Sequence, residues 1–382
     1  MKHLHLIHQD KPELQLKEFT SRLGSCIPII APRKLDDSII EAVEIPKEAD
    51  FAVASSGTTG KPKLYFRTKR SWTDFFPEQD ELFSINSNSR IFIHGSLAFT
   101  GNLNIAYEAV ENGAFLHCAS SFRAEVWADE ILKNRIDTIY LIPDKLLHLA
   151  RHGNRFENIR TIICGSQFIS EKLFEMTRFC FPNAKIILYY GSSEVNYVSY
   201  NVLNEKPAHE NCVGKIFDSI KVKFSQEGNI LVDSPFSVCG ISGYYDTKDK
   251  GYLKDGLLYL NGRSDDQLNI LGEKINACEI KKRLLQVSSI EECEISVEEK
   301  NSKKFVVAHI SGKDLPSSLP NSAFDGISPV FIPQKYIHYE KLPRNESGKI
   351  CLRQTLKLRP SAEASSQSKA VGIFKVAANR KA

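Results

Sequence analysis

Residues 51–63 read FAVASSGTTGKPK. Phe51–Ala54 is a short apolar strand pattern that runs straight into a loop of Ser, Thr and Gly, closed by Lys61, Pro62 and Lys63. Gly57 and Gly60 let the backbone come close to an anion, because no Cβ stands in the way. The hydroxyls of Ser55, Ser56, Thr58 and Thr59 and the Lys63 ammonium are donors for phosphate oxygens. A strand that feeds such a loop suits an α/β protein that cradles a phosphate chain. The spacing is not that of a Walker A loop, since GxxxxGK[ST] is not matched. Taken alone, the same letters also fit a mobile surface loop.

Outward from this loop, apolar runs recur at 90–94, 114–118, 138–142, 161–164 and 185–189. Helical patterns lie between them at 102–111, 124–134 and 171–181. Near-continuous apolar strands alternating with helices predict an α/β fold around a parallel sheet. Ser170, followed by Glu171, Lys172 and Leu173, is a predicted helix N-cap. After about residue 212 the pattern changes to short strands at 220–224, 229–232 and 257–260, punctuated by glycines. Beyond Gly262 a smaller unit follows, with a helix at 277–287, strands near 290–297 and 305–311, and a basic end. We therefore expect a domain at 1–264 and a second at 265–358. The Ser-, Ala- and Lys-rich composition of 359–382 predicts a disordered tail.

The bulk composition is that of an ordinary globular chain. Of its 382 residues, 42% are hydrophobic and 25% charged, and the net charge is +4. So small a surplus gives no case for nucleic acid or an anionic membrane. No apolar run is long enough to span a bilayer, and the N-terminus has no signal-peptide h-region. The nine cysteines show no CxxC pair, which predicts reduced thiols in a cytoplasmic protein and no zinc site. His3, His5 and His8 alternate with apolar residues and read as a strand or frayed end rather than as metal ligands.

The loop at 55–63 resembles the signature phosphate loop of the acyl-adenylate-forming superfamily. That group contains the acyl- and aryl-CoA ligases, the adenylation domains of peptide synthetases, and luciferase. The other signatures follow in order. Cys164-Gly165-Ser166-Gln167 resembles the segment whose backbone lines adenine. Tyr189-Tyr190-Gly191-Ser192-Ser193-Glu194 resembles the YGxTE segment. By that resemblance Tyr190 stacks on adenine beside Gly191, Ser193 reaches the α-phosphate, and Glu194 binds Mg²⁺. Thr247-Lys248-Asp249 stands where the family has TGD, which makes Asp249 the ribose ligand. Gly262-Arg263-Ser264-Asp265-Asp266-Gln267 resembles GRxDDQ. It places Arg263 on ribose or phosphate and makes Asp265 the hinge. Leu342-Pro343-Arg344-Asn345-Glu346-Ser347-Gly348-Lys349 resembles the last signature, with Lys349 catalytic. The matching segments span about 50–358.

The resemblance implies a large N-terminal domain, made of a parallel α/β sheet and a β-rich part, and a small mobile α+β C-terminal domain. The implied cofactors are ATP and Mg²⁺. The implied reaction activates an acyl or aryl carboxylic acid as acyl-AMP and passes it to a phosphopantetheine thiol. That thiol belongs to CoA or to an acyl carrier protein, in polyketide or related specialised metabolism. Two departures stand out. Lys248 replaces the family's Gly, and the phosphate loop comes early. The early loop predicts an N-terminal domain that is shortened beside the acid pocket. In that pocket the resemblance places Phe99 at the carboxylate and His94 at the entry. No Phe-Asp pair is present there, which argues against an α-amino acid substrate. The short N-terminus also leaves open a catalytically impaired relative that binds a carrier or pathway partner, or a subunit that works only in a complex.

Overall fold

In Arg90–His94 (β5), Ile91 and Ile93 turn to one face and Phe92 to the other, all fully buried. Thr161–Gly165 (β8) repeats this with Ile163 opposite Ile162 and Cys164, and Lys185–Ser192 (β9) with Ile187 opposite Ile186 and Leu188. A strand apolar on both faces must be covered on both. The computed structural model describes residues 3–32, 35, 43–55, 63–204, 211–264, 266–271, 273–300, 303–314, 319, 321–344, 350, 352 and 370–375.

The strands before these are Leu4–Ile7 (β1), Ile27–Ile30 (β2), Phe51–Ser55 (β3) and Lys63–Arg67 (β4). Phe115–Ala119 is β6 and Thr138–Tyr140 is β7. Strands β6, β5, β7, β8 and β9 lie side by side in that order, all parallel. The sheet continues antiparallel through Asn196–Val202 (β10) and Cys212–Ile216 (β11). It ends in the glycine-punctuated strands Lys221–Phe224 (β12), Asn229–Asp233 (β13), Tyr245–Lys254 (β14) and Leu257–Arg263 (β15), giving 11 strands. The parallel α/β sheet and the β-rich stretch are as the sequence predicts, and they form one mixed sheet.

Pro12–Arg22 (α1), Phe76–Phe83 (α2) and Thr100–Glu111 (α3) cover one face of the parallel strands. Ala124–Lys133 (α4), Pro143–Ala150 (α5) and Glu171–Cys180 (α6) cover the other. Ser170 caps α6 as expected: its Oγ accepts from the Leu173 N–H at 3.2 Å. Under α1 and α3, Trp72 is fully buried between Phe51 and Tyr107, with ring centroids 4.7 and 6.3 Å away. His5, on the short strand β1, bonds Glu18 of α1 at 2.7 Å, a local tie within that edge.

One polar knot interrupts this core. Gln79 Nε2 of α2 donates to Asn104 Oδ1 at 3.0 Å and to Glu108 Oε2 at 2.5 Å, both on α3. Burial pushes the Glu108 carboxyl well above the ordinary range, and the neighbouring Asp80 adds to it. A raised folded pKa gives stability that is complete below about 4.5 and is lost as pH rises through the folded value. Gln stays neutral throughout. Glu108→Gln is therefore expected to match wild type near pH 4 and to melt higher at pH 8. Thermal melts across that range check it, and a constant difference at every pH counts against it.

The chain divides into two compact units, Met1–Thr247 with Gly251–Leu260, and Lys248–Lys250 with Asn261–Ala382. In the second, Gln267–Ile270 (β16) and Glu273–Asn276 (β17) form a hairpin before Ala277–Leu285 (α7). Ile290–Lys300 (β18), Lys303–Gly312 (β19) and Lys335–Tyr339 (β20) build a sheet with α7 against Cys293, Ile295 and Ala308. A fourth strand, Ala370–Lys375, lies antiparallel along β20, with Tyr336 opposite Phe374. The tail composition predicts no order there. The apolar run AVGIF nevertheless offers a strand pattern to an open sheet edge, whose unpaired backbone groups favour such pairing.

The described cysteines carry free thiols, most of them buried. Burial pushes Cys118 and Cys293 up to about 12, and raises Cys164, Cys180, Cys239 and Cys278 as well. Among the described residues no three His, Cys, Asp or Glu side chains form a metal cluster, and no helix is long and apolar enough to cross a membrane.

Candidate functional site

Strand β9 turns back into β10 with Ser192 opposite Asn196 and Gly191 opposite Tyr197. The turn consists of Ser193, Glu194 and Val195. Gly191 makes this possible: a Cβ there would stand 2.3 Å from the Asn196 carbonyl oxygen and 2.9 Å from the Tyr197 Cα. The predicted α-phosphate and Mg²⁺ residues thus sit together on a tight hairpin, one strand end beyond Tyr190, which is buried.

The turn is held from several sides. The Tyr65 hydroxyl donates to Glu194 Oε1 at 2.6 Å, and Thr100 Oγ1 donates to Ser193 Oγ at 3.0 Å. The Val238 N–H donates to the Glu194 carbonyl at 2.8 Å. Beneath the turn lies Arg67, fully buried. Its guanidinium donates to the Ser193 carbonyl at 2.8 Å, the Phe236 carbonyl at 2.9 Å and Ser71 Oγ at 3.2 Å. Its face lies 5.6 Å from the Trp72 ring. Burial lowers its pKa to about 10, so it stays charged at neutral pH. Burial raises Tyr65, and the Glu194 carboxylate raises it further, so Tyr65 stays a donor.

Tyr65 and Arg67 both come from β4, which pairs with β3 in a hairpin with Ser55 opposite Lys63. Ser55 hydrogen-bonds the Tyr65 phenol, and Lys63 is exposed. Of the predicted phosphate loop, Ser56, Gly57, Thr58, Thr59 and Gly60 lie outside the described residues, as do Asp265, Gly272 and Lys349. The hairpin therefore joins the ends of the predicted phosphate loop to the Glu194 turn within one unit. The sequence reading missed Tyr65, Arg67 and Thr100. The one signal it held was an arginine inside the strand pattern KLYFR.

Gly165 ends β8 and Ser166 follows with φ 69°, a left-handed backbone that a serine rarely adopts. Phe99 precedes α3 and its backbone bridges to Ala54 of β3. His94 packs its ring 4.6 Å from Trp127 and 4.9 Å from Phe122. Burial lowers its pKa to about 3, followed by repulsion from Lys145, so it is neutral. This is the geometry of a core histidine in the α4-side cluster, whereas the resemblance places it at the pocket entry.

In the second unit, Arg263 Nη1 pairs with Asp249 Oδ1 at 2.9 Å. The two predicted ribose and phosphate ligands thus meet each other. Lys248, the departure from TGD, has φ 64°. Its carbonyl accepts from Ser264 N–H at 2.7 Å and Ser264 Oγ at 2.8 Å, which holds that backbone in place. The family's Gly fits there because glycine alone enters the left-handed region without strain. Lys248→Gly is expected to stabilise the folded chain by about 1 kcal/mol at most. Denaturant titration checks this, and a clear loss of stability would remove the strain argument. Asn276 Nδ2 donates to the Arg263 carbonyl at 2.9 Å while Asn276 Oδ1 caps α7 at the Cys278 N–H. Gly262, at φ 90°, leaves no room for a Cβ beside that asparagine.

The Ser55–Lys63 pairing and the Tyr190–Glu194 turn of the first unit, and the Asp249–Arg263 pair of the second, lie where the sequence reading put the signatures of an adenylate-forming enzyme. The profile of the AMP-binding enzyme family matches residues 9–239, more than half of the chain, and the chain belongs to that family. VraA of Staphylococcus haemolyticus, provisionally named a long chain fatty acid-CoA ligase, is 27% identical over 313 residues, 78% of this chain and 67% of VraA. A 2-succinylbenzoate–CoA ligase of Lactococcus lactis is 26% identical over 321 residues, 79% of this chain and 69% of its own. Among solved structures, o-succinylbenzoate coenzyme A synthetase (MenE) from Bacillus subtilis, in complex with ATP and magnesium ion, superposes with a TM-score of 0.77. It is 20% identical, over 93% of this chain and 89% of MenE, and the match shows the shared fold.

Proposed function

We propose that this chain is an AMP-forming acid–thiol ligase. The observation that carries this is the Ser193–Glu194 turn, tied by Tyr65 and Thr100 to the base of the phosphate-loop hairpin. In the first step a carboxylate oxygen attacks the α-phosphorus of ATP and the bond to pyrophosphate breaks. In the second a thiol sulfur attacks the acyl carbon, the bond to AMP breaks, and the thiol proton leaves to solvent. The acceptor is a phosphopantetheine thiol, on CoA as the relatives' names suggest, or on an acyl carrier protein.

The roles follow from the groups' chemistry. Ser193 donates to an α-phosphate oxygen, and the hydroxyls of Ser55, Ser56, Thr58 and Thr59 with Lys63 hold the other phosphates. Tyr190 offers a ring face to adenine. Gly165 and Ser166 offer backbone to it. Asp249 accepts from the ribose hydroxyls, Arg263 contacts ribose or phosphate, and Asp265 is the pivot. The carboxylate of Glu194 and the hydroxyls around it are hard oxygen donors of the kind Mg²⁺ takes, and Glu194 would hold the ion. When bound, that ion neutralises charge on the phosphates. Lys349 stabilises charge that builds on the α-phosphate, a role for pre-aimed cations in transfer chemistry. Phe99 borders the carboxylate.

Acid-dependent exchange of labelled pyrophosphate into ATP tests the reading. We expect exchange with at least one fatty or aryl acid. Lys349→Ala is expected to reduce it by roughly 10²–10³-fold, the range for removing one pre-organised charge stabiliser. A chain that binds ATP yet exchanges with no acid would refute the ligase assignment.

A further inference from the structure

Next to Thr100, which bonds the Ser193 turn, three buried tyrosines of the first unit pack together. Thr100, bonded to Ser193, is the first residue of α3, and Gly101 is next. A Cβ on Gly101 would stand 2.3 Å from Tyr140 Oη and 3.4 Å from Tyr189 Oη. A Cβ on Gly165 would stand 2.3–2.6 Å from Cζ, Cε1 and Oη of Tyr189. Both rings thus press against bare backbone, Tyr140 at Gly101 beside Thr100 and Tyr189 at Gly165 at the end of β8. Their hydroxyls bond each other at 2.7 Å and the ring planes are 14° apart. A third ring, Tyr197, lies 4.3 Å from Tyr189 and donates to Asn104 Oδ1 at 3.1 Å. Asn104 is in turn bonded to Gln79. All of these side chains are buried.

This cluster is costly to move. Swinging Tyr189 aside breaks the Tyr140 bond and takes from a buried hydroxyl its partner. Close packing around it leaves few alternative rotamers. In the ligase reading the acid's carboxylate lies at Ser193, which Thr100 bonds, and the next residue, Gly101, abuts Tyr140 and Tyr189.

We propose that Tyr140, Tyr189 and Tyr197 set the length of the acid, and that the substrate is a short carboxylic acid rather than a long acyl chain. The proposal rests on the acid-activating reading above. It separates this chain from a relative named for long chain fatty acids.

The test is pyrophosphate exchange by the full chain with acetate, butyrate, octanoate and palmitate. Acetate and butyrate are expected to support exchange. Octanoate and palmitate should fall at least roughly tenfold lower in kcat/KM, the scale on which pocket shape discriminates methylenes. Tyr189→Ala and Tyr140→Leu, checked for folding by thermal melts, should raise the octanoate-to-acetate ratio by roughly 10–100-fold. If either variant fails to fold, the wild-type profile alone decides. Strongest exchange with octanoate or palmitate overturns the proposal and leaves the ligase assignment standing. So does a ratio unmoved in folded variants. Absence of exchange with all four acids, in a chain that binds ATP, overturns the length proposal, and absence with aryl acids as well overturns the ligase assignment.

Discussion

Arg67→Lys is expected to lower the rate of acid-dependent pyrophosphate exchange by roughly 10–100-fold while the KM for ATP changes little. Arg67 touches neither the nucleotide nor the acid in the proposed reaction. It holds the backbone of the residue that does, through the Ser193 carbonyl, and it anchors Phe236 at the same time. A lysine keeps the charge but has one nitrogen, and it cannot span two carbonyls and Ser71 in the fixed fork that a guanidinium offers. The turn then loses its registration, and a displacement of about 1 Å at reacting groups is enough to lose about 10²-fold. A purely structural arginine would lower the melting temperature and leave the kcat of the remaining folded enzyme alone. The split between kcat and KM, measured on protein that is folded by circular dichroism, therefore separates the two roles. An unchanged kcat would reduce Arg67 to packing.

Trp72→Ala is expected to destabilise the first unit by about 3–5 kcal/mol, the usual range for emptying a buried indole. The ring is fully buried, lies between Phe51 and Tyr107, and supports the Arg67 guanidinium. Its loss leaves a cavity at the root of the β3–β4 hairpin and removes a cation–π partner, which adds to the transfer term. For a unit of this size the shift in melting temperature should be on the order of 10 °C. Calorimetry resolves it as movement of the first unit's transition. A shift within about 2 °C would mean that the hairpin is anchored elsewhere.

The five parallel strands were legible because each is apolar on both faces. Ile91, Phe92 and Ile93 in succession leave few alternatives. The β3–β4 hairpin was not legible beyond its first strand. Tyr65-Phe66-Arg67 follows a polar loop and ends in a charge, and a fully buried arginine runs against ordinary residue preference. The candidate site divides the same way. Ser193 and Glu194 could be named because they are neighbours within one motif. Their supports come from far off in the chain: Tyr65 is 129 residues from Glu194, Arg67 is 126 from Ser193, and Thr100 is 93 from Ser193. Spacing within a motif carries no trace of such pairings, which are decided by which strands lie next to each other. Lys248 shows an intermediate case. The sequence marked it as an irregularity, and its left-handed backbone supplies the reason. His94 was named from its position in a segment, and Trp127, 33 positions on in sequence numbering, claims its ring.

An enzyme that prepares a mixed anhydride holds a strong acylating agent, and its own nucleophiles are the first bystanders. Cys164 stands one residue before Gly165, yet burial raises its thiol far from ionisation. Cys118, Cys180, Cys239, Cys278 and Cys293 are likewise held as thiols. The thiolate is the reactive form. Burial thus holds these six sulfurs away from the form that an activated acyl group would acylate.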